Sequence, residues 1–74
     1  MPIDVCAHIT GTVWKVEVAV GDVVRAEQPV VILESMKMEM PVEAPSDGTV
    51  SAVNVTPGQA VEEGDVLVVI EPSG

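Results

Sequence analysis

Apolar residues along this chain recur in two rhythms. Val16, Val18 and Val20 alternate with Glu17 and Ala19 ahead of Gly21 and Asp22, and Val53 and Val55 alternate with Asn54 and Thr56 ahead of Pro57 and Gly58. A period of two sends successive side chains to opposite faces of an extended chain, so both segments predict half-buried strands that end in turns. Near the start, Ile3, Val5, Ala7 and Ile9 alternate with Cys6 and His8, which predicts a short strand with Cys6 and His8 on its exposed face. Residues 30–34 and 66–71 are instead nearly continuous and β-branched, the pattern of strands covered on both faces. No run reaches the roughly ten residues that a helix requires, and no helix is predicted. Pro29, Pro41, Pro45, Pro57 and Pro72 fall at or beside the proposed turns and strand ends, where a missing amide costs least. Turn signals at a spacing of about 8 to 12 residues complete an all-β pattern, a flattened barrel or sandwich of about eight short strands.

The chain also matches itself. At the offset that carries Gly11 to Gly48, Thr12 and Val13 fall on Thr49 and Val50, Val16 and Val18 on Val53 and Val55, and Gly21 on Gly58. Val24 falls on Val61, Val31 on Val68 and Glu34 on Glu71 without a gap. Aligned valines are weak testimony in a chain with 17 of them, but aligned glycines mark backbone turns, and they predict two halves related by a pseudo-two-fold. Residues 34–41 fit the repeat poorly. A strand over 30–34 leads in and a strand over 39–43 leads out, with Met40, Val42 and Ala44 alternating, so the residues between them form a hairpin tip. Lys37, one of two lysines, stands there with its flexible stem pointing off the body, flanked by methionines where polar turn formers are the usual choice. Met40 is expected to pack inward as a gap-filler. Three thioethers at 36, 38 and 40 also have the softness for Cu(I), but a tight turn at Lys37 breaks their common face.

Composition narrows the classes. With 74 residues the chain makes one thin-cored domain, assigned to 1–74, with little room for an enclosed active site. Twelve acidic residues against three basic ones, a net charge of −9, argue against nucleic-acid binding and against an electrostatic membrane anchor. Asp22, Glu62, Glu63 and Asp65 read as a solvated face at turns. Trp14, the single aromatic residue, is expected in core or subunit packing. Cys6 has no partner for an internal disulfide, and no Cys/His pair has zinc-site spacing, which suits a reducing compartment. The first residues lack the basic and apolar regions of a secretory signal, so the expected location is the cytoplasm; Met1 and the lack of an Ala/Pro-rich linker favour a free-standing protein.

The string Glu34, Ser35, Met36, Lys37, Met38 resembles the attachment motif of biotinyl domains, and the stretches 11–20 and 48–55 resemble strands of that family. The likeness covers essentially the whole chain and is similar in plan to stand-alone biotin/lipoyl attachment proteins. It implies a barrel-sandwich hybrid and a non-catalytic carrier subunit, with Lys37 biotinylated by a biotin protein ligase that recognises Glu34, Met36 and Met38. Glu34 matches the family position that disfavours lipoylation, while Ser35 departs from the commoner alanine. The resemblance further implies a biotin arm that moves a carboxyl group between a biotin carboxylase and a carboxyltransferase, those of an acyl-CoA carboxylase. The protruding thumb of the bacterial acetyl-CoA carboxylase carrier has no counterpart here. The chemistry agrees: a free lysine amine is almost wholly protonated at neutral pH, so a ligase must supply the activated acyl group and remove the proton. Two alternatives stand beside this reading, a lipoyl carrier on the same fold and an assembly module whose apolar hairpin docks a partner without any cofactor.

Overall fold

The computed structural model describes residues 2–72 and contains eight strands. These are β1 (Ile3–Cys6), β2 (Gly11–Val16), β3 (Val23–Val24), β4 (Pro29–Ser35), β5 (Met38–Glu43), β6 (Gly48–Val53), β7 (Ala60–Val61) and β8 (Val66–Pro72). They form two antiparallel four-stranded sheets, one ordered β1-β8-β6-β3 and the other β5-β4-β2-β7. The inward faces close on a core of Val, Leu, Ile and Ala in which Leu33, Leu67, Ile70 and six valines are almost wholly covered. Among the described residues no polar side chain is buried. Short branched side chains suit this architecture, because they fill the thin space between two small sheets without long rotamer-rich arms to order.

The pseudo-two-fold extends to individual hydrogen bonds. Gly21 N–H donates to the carbonyl of Val50 at 2.8 Å, and Gly58 N–H donates to that of Val13 at 2.7 Å. Glu27 N–H donates to the carbonyl of Ala44 and Gly64 N–H to that of Ala7, both at 2.8 Å. Each sheet draws two strands from each half, so neither half owns a sheet. The symmetry also reaches further along the chain than the Gly11 and Gly48 alignment does. Strand β1 is the counterpart of β5, with Val5 matching Val42 and Ala7 matching Ala44, all four buried.

Three expectations change. The strand begun at Gly11 stops at Val16 and does not run on to Val20; Val18 is buried outside any strand, and Val20 is 63% exposed. The cause is local: Ala19 N–H donates to Asp22 Oδ2 at 2.9 Å and Asp22 N–H returns to the Ala19 carbonyl at 3.0 Å, which closes a turn before Val20 can face inward. Likewise Val55 is buried beyond the end of β6 at Val53. Gly11 and Gly48 are not turn residues. They open β2 and β6, where a Cβ on Gly11 would lie 2.6 Å from the Glu34 carbonyl oxygen and one on Gly48 would strike the Glu71 carbonyl. Gly21 and Gly58, with φ of 96° and 90°, do serve turns. The closing sequence Pro72, Ser73, Gly74 also reads as a frayed end or linker stub; Pro72 closes β8, and Ser73 and Gly74 lie outside the described residues.

Candidate functional site

Strands β4 and β5 pair in the register Ile32↔Pro41, Leu33↔Met40, Glu34↔Glu39 and Ser35↔Met38, leaving Met36 and Lys37 as a two-residue loop. Both loop residues have positive φ, 53° and 65°. That is the sign pattern of a type I′ turn, whose twist matches the flanking strands and which normally favours Asn-Gly. An L side chain in the left-handed region costs about 1–2 kcal/mol, so the paired strands below must hold this turn in place. They can, because β4 is the central strand of its sheet neighbours β5 and β2 and buries Val30, Val31 and Leu33 completely.

The tip is open. Met36 is 91% exposed and Met38 is 58% exposed. Lys37 is exposed, and among the described residues the single ion pair joins Lys15 to Glu17 at 3.4 Å, leaving the Lys37 amine without a carboxylate partner. Glu34, also exposed, lies directly across from Glu39. Met40 is half-buried and is not part of the fully covered core; it faces inward opposite Leu33 but sits toward the open end of the sheet. Met38 and Met40, two residues apart on β5, lie on one face of the strand, but Met36 belongs to the turn, so the three thioethers do not share a face.

Other candidate residues lie elsewhere. Cys6 and His8 are exposed as expected, and they line a cleft of about 370 Å³ with Asp4, Pro41, Glu43 and Pro45, between edge strands β1 and β5. Among the described residues no three His, Cys, Asp or Glu side chains converge as a metal set. Trp14 is 47% exposed rather than core, because the β2–β4 ladder shifts register between Val13 and Lys15 and leaves the indole at the bulge. Asp22 and Asp65 do more than coat a solvated face: each accepts a turn amide, from Ala19 and from Glu62, both at 2.9 Å. Two features were missed in the sequence. A two-residue turn at 36 and 37 already implies the Glu34↔Glu39 pairing, and the repeat offset places Glu27, at φ 70°, on Gly64, at φ 93°.

Comparison with known proteins gives a consistent set. The biotin/lipoyl family profile, described as "Biotin-requiring enzyme", matches residues 3–70. The chain is 52% identical over 64 residues to a biotin carboxyl carrier protein of Streptococcus mutans, covering 86% of this chain and 49% of that one. It is 45% identical over 69 residues to a biotin/lipoyl attachment protein of Bacillus subtilis, covering 93% of this chain and 94% of that one. A pyruvate carboxylase of Staphylococcus aureus is 43% identical over 70 residues, which are 95% of this chain and 6% of that enzyme. Among solved structures, a single-chain, multi-domain long-chain acyl-CoA carboxylase superposes with a TM-score of 0.92 at 36% identity, covering 97% of this chain and 7% of that one. The chain thus spans about half the length of one of these relatives and a small part of the two carboxylases.

Proposed function

Since the chain belongs to the biotin/lipoyl attachment family, we propose that it is a non-catalytic biotin carboxyl carrier with Lys37 as the residue that holds biotin in amide linkage. The observation that carries this reading is the Lys37 amine, exposed and unpaired at a two-residue turn between Met36 and Met38. The site fits a covalent arm: the turn projects one primary amine, and the paired strands beneath fix its origin while leaving the stem free. Met36 and Met38 offer an apolar surface to a biotin protein ligase, and Glu34 stands as the family residue that disfavours lipoylation. Amide formation removes one positive charge and takes the formal total from −9 to −10.

When attached, biotin supplies a nitrogen that accepts and releases a carboxyl group, and the protein supplies its position. The partners in this reading are a biotin carboxylase and a carboxyltransferase, those of an acyl-CoA carboxylase, with residues 1–74 acting as one biotinyl domain in the cytoplasm. The carboxylase names among the similar proteins support these partners. The test is mass spectrometry after incubation with biotin, ATP and a biotin protein ligase. One added biotinyl group, lost in Lys37→Arg, is the expected result; folded protein that stays unlabelled removes the reading. A parallel reaction with a lipoyl ligase and lipoate tests the lipoyl alternative on the same lysine.

A further inference from the structure

The pseudo-two-fold gives each position in one half a counterpart in the other, and so separates what the fold requires from what it merely carries. On the outer face of the β5-β4-β2-β7 sheet, Lys15, Ile32 and Pro41 form a cross-strand row, with Trp14 at the bulge beside it. The counterparts on the other sheet are Ala52, Val69 and Asp4, with Ser51 at the matching bulge, where its hydroxyl donates to the Val69 carbonyl at 3.2 Å. The bulge therefore forms with a serine, and an indole 47% exposed at the same place is not a demand of the fold. One row nearer the tip stand Thr12, Glu34 and Glu39, matched by Thr49, Glu71 and Pro2. Directly opposed like charges weaken a strand pair, and here no cation of the described residues bridges them.

We propose that this outer face docks the ligase that acylates Lys37, with an apolar recess receiving Trp14 and cationic side chains facing Glu34 and Glu39. The inference rests on Lys37 being the attachment residue. Continuity supports it: β4 and β5 carry the turn, and β2, which carries Trp14, is the next strand. Reach selects the ligase among the enzymes that meet this lysine. An unmodified lysine stem extends only about 6 Å from its Cα by ordinary bond lengths, so the acyl donor must come close to the turn. The Trp14 row lies roughly 13 Å along β4 from the turn at the usual strand rise, well within a patch of about 800 Å² per partner. Enzymes that meet the biotinylated arm can sit farther away. Charge completes the fit, since a carrier of net charge −9 with an unneutralised carboxylate pair beside its site complements a basic rim. Tryptophan in such a contact commonly carries a large share of the affinity.

The test uses steady-state biotinylation and a fluorine signal. Trp14→Ser copies the serine of the other bulge and is expected to fold, raising the KM for carrier about tenfold or more at unchanged kcat. Glu34→Gln with Glu39→Gln is expected to raise KM about three- to tenfold, an effect that shrinks at high salt. Labelling of Lys37 by a small water-soluble active ester should be equal in all variants. Carrier containing 5-fluorotryptophan gives one resonance, because Trp14 is the sole tryptophan; it should shift or broaden on addition of ligase. An unchanged KM in folded Trp14→Ser overturns the proposal, as does a resonance unmoved at saturating ligase or moved only by carboxylase subunits. Failure of wild-type carrier to take biotin at Lys37 counts against the attachment residue itself, and the fluorine titration still reports whether the ligase docks.

Discussion

At Glu27 the backbone holds φ 70°, and at its counterpart Gly64 it holds 93° with open space where a Cβ would stand. The two positions make the same turn, so they isolate the conformational preference of the residue from its contacts. Leaving the left-handed region to glycine relieves about 1–2 kcal/mol, offset by the roughly 0.5–1 kcal/mol that glycine loses in chain entropy. Glu27→Gly is therefore expected to shift stability by less than about 1 kcal/mol, in the favourable direction. Gly64→Ala is expected to cost about 1 kcal/mol, and urea midpoints of the two variants decide both. Gly48→Ala is a different case: the added methyl meets the Glu71 carbonyl and the Ile70 Cγ2 at 2.6 Å, so overpacking of about 2–3 kcal/mol follows. Exposure also orders the thioethers. Peroxide should oxidise Met36 first, Met38 next and half-buried Met40 last, which peptide mapping by mass spectrometry reads directly.

The hairpin separates stability from display. Leu33 on β4 is fully buried opposite Met40 and Val13, and Leu33→Ala is expected to cost about 2–5 kcal/mol in chemical unfolding. Lys37→Arg, at the exposed tip of the same element, should stay within about 0.5 kcal/mol of the parent while abolishing biotinylation. Met38→Thr suits a strand position and is expected to leave the fold intact while slowing ligase turnover, measured as initial rates. Met36→Thr is a poorer probe, because a β-branched residue at φ 53° adds strain of its own. At this scale the site was partly legible: a strand over 30–34 leading in and one over 39–43 leading out placed Lys37 at a hairpin tip, while the extension of the pairing to Ser35↔Met38, and with it the two-residue turn, came from the structure. What could not be counted was the end of β2. The pattern of Val16, Val18 and Val20 continues past the strand, and the turn closed by Asp22 overrides it.

For the whole molecule, strand exchange between the halves has a direct consequence. Sheet β1-β8-β6-β3 needs β1 and β3 from one half and β6 and β8 from the other, so a peptide of residues 1–37 leaves its apolar faces uncovered. Circular dichroism of that peptide alone should show no β-sheet signal, whereas the full chain shows it. Sequence by itself determined the all-β class, the repeat, the valine core and a single lysine between methionines at the seam. Each of these is a local or periodic property, written in alternation, turn residues and self-similarity. Tertiary structure decided which sheet each strand joins, that Trp14 stands on the surface at a bulge, that Met40 is only half covered, and that Gly11 and Gly48 serve close strand packing. Those outcomes depend on what lies across the ladder or across the core, and the identity of a distant neighbour is not encoded in the residues beside a position.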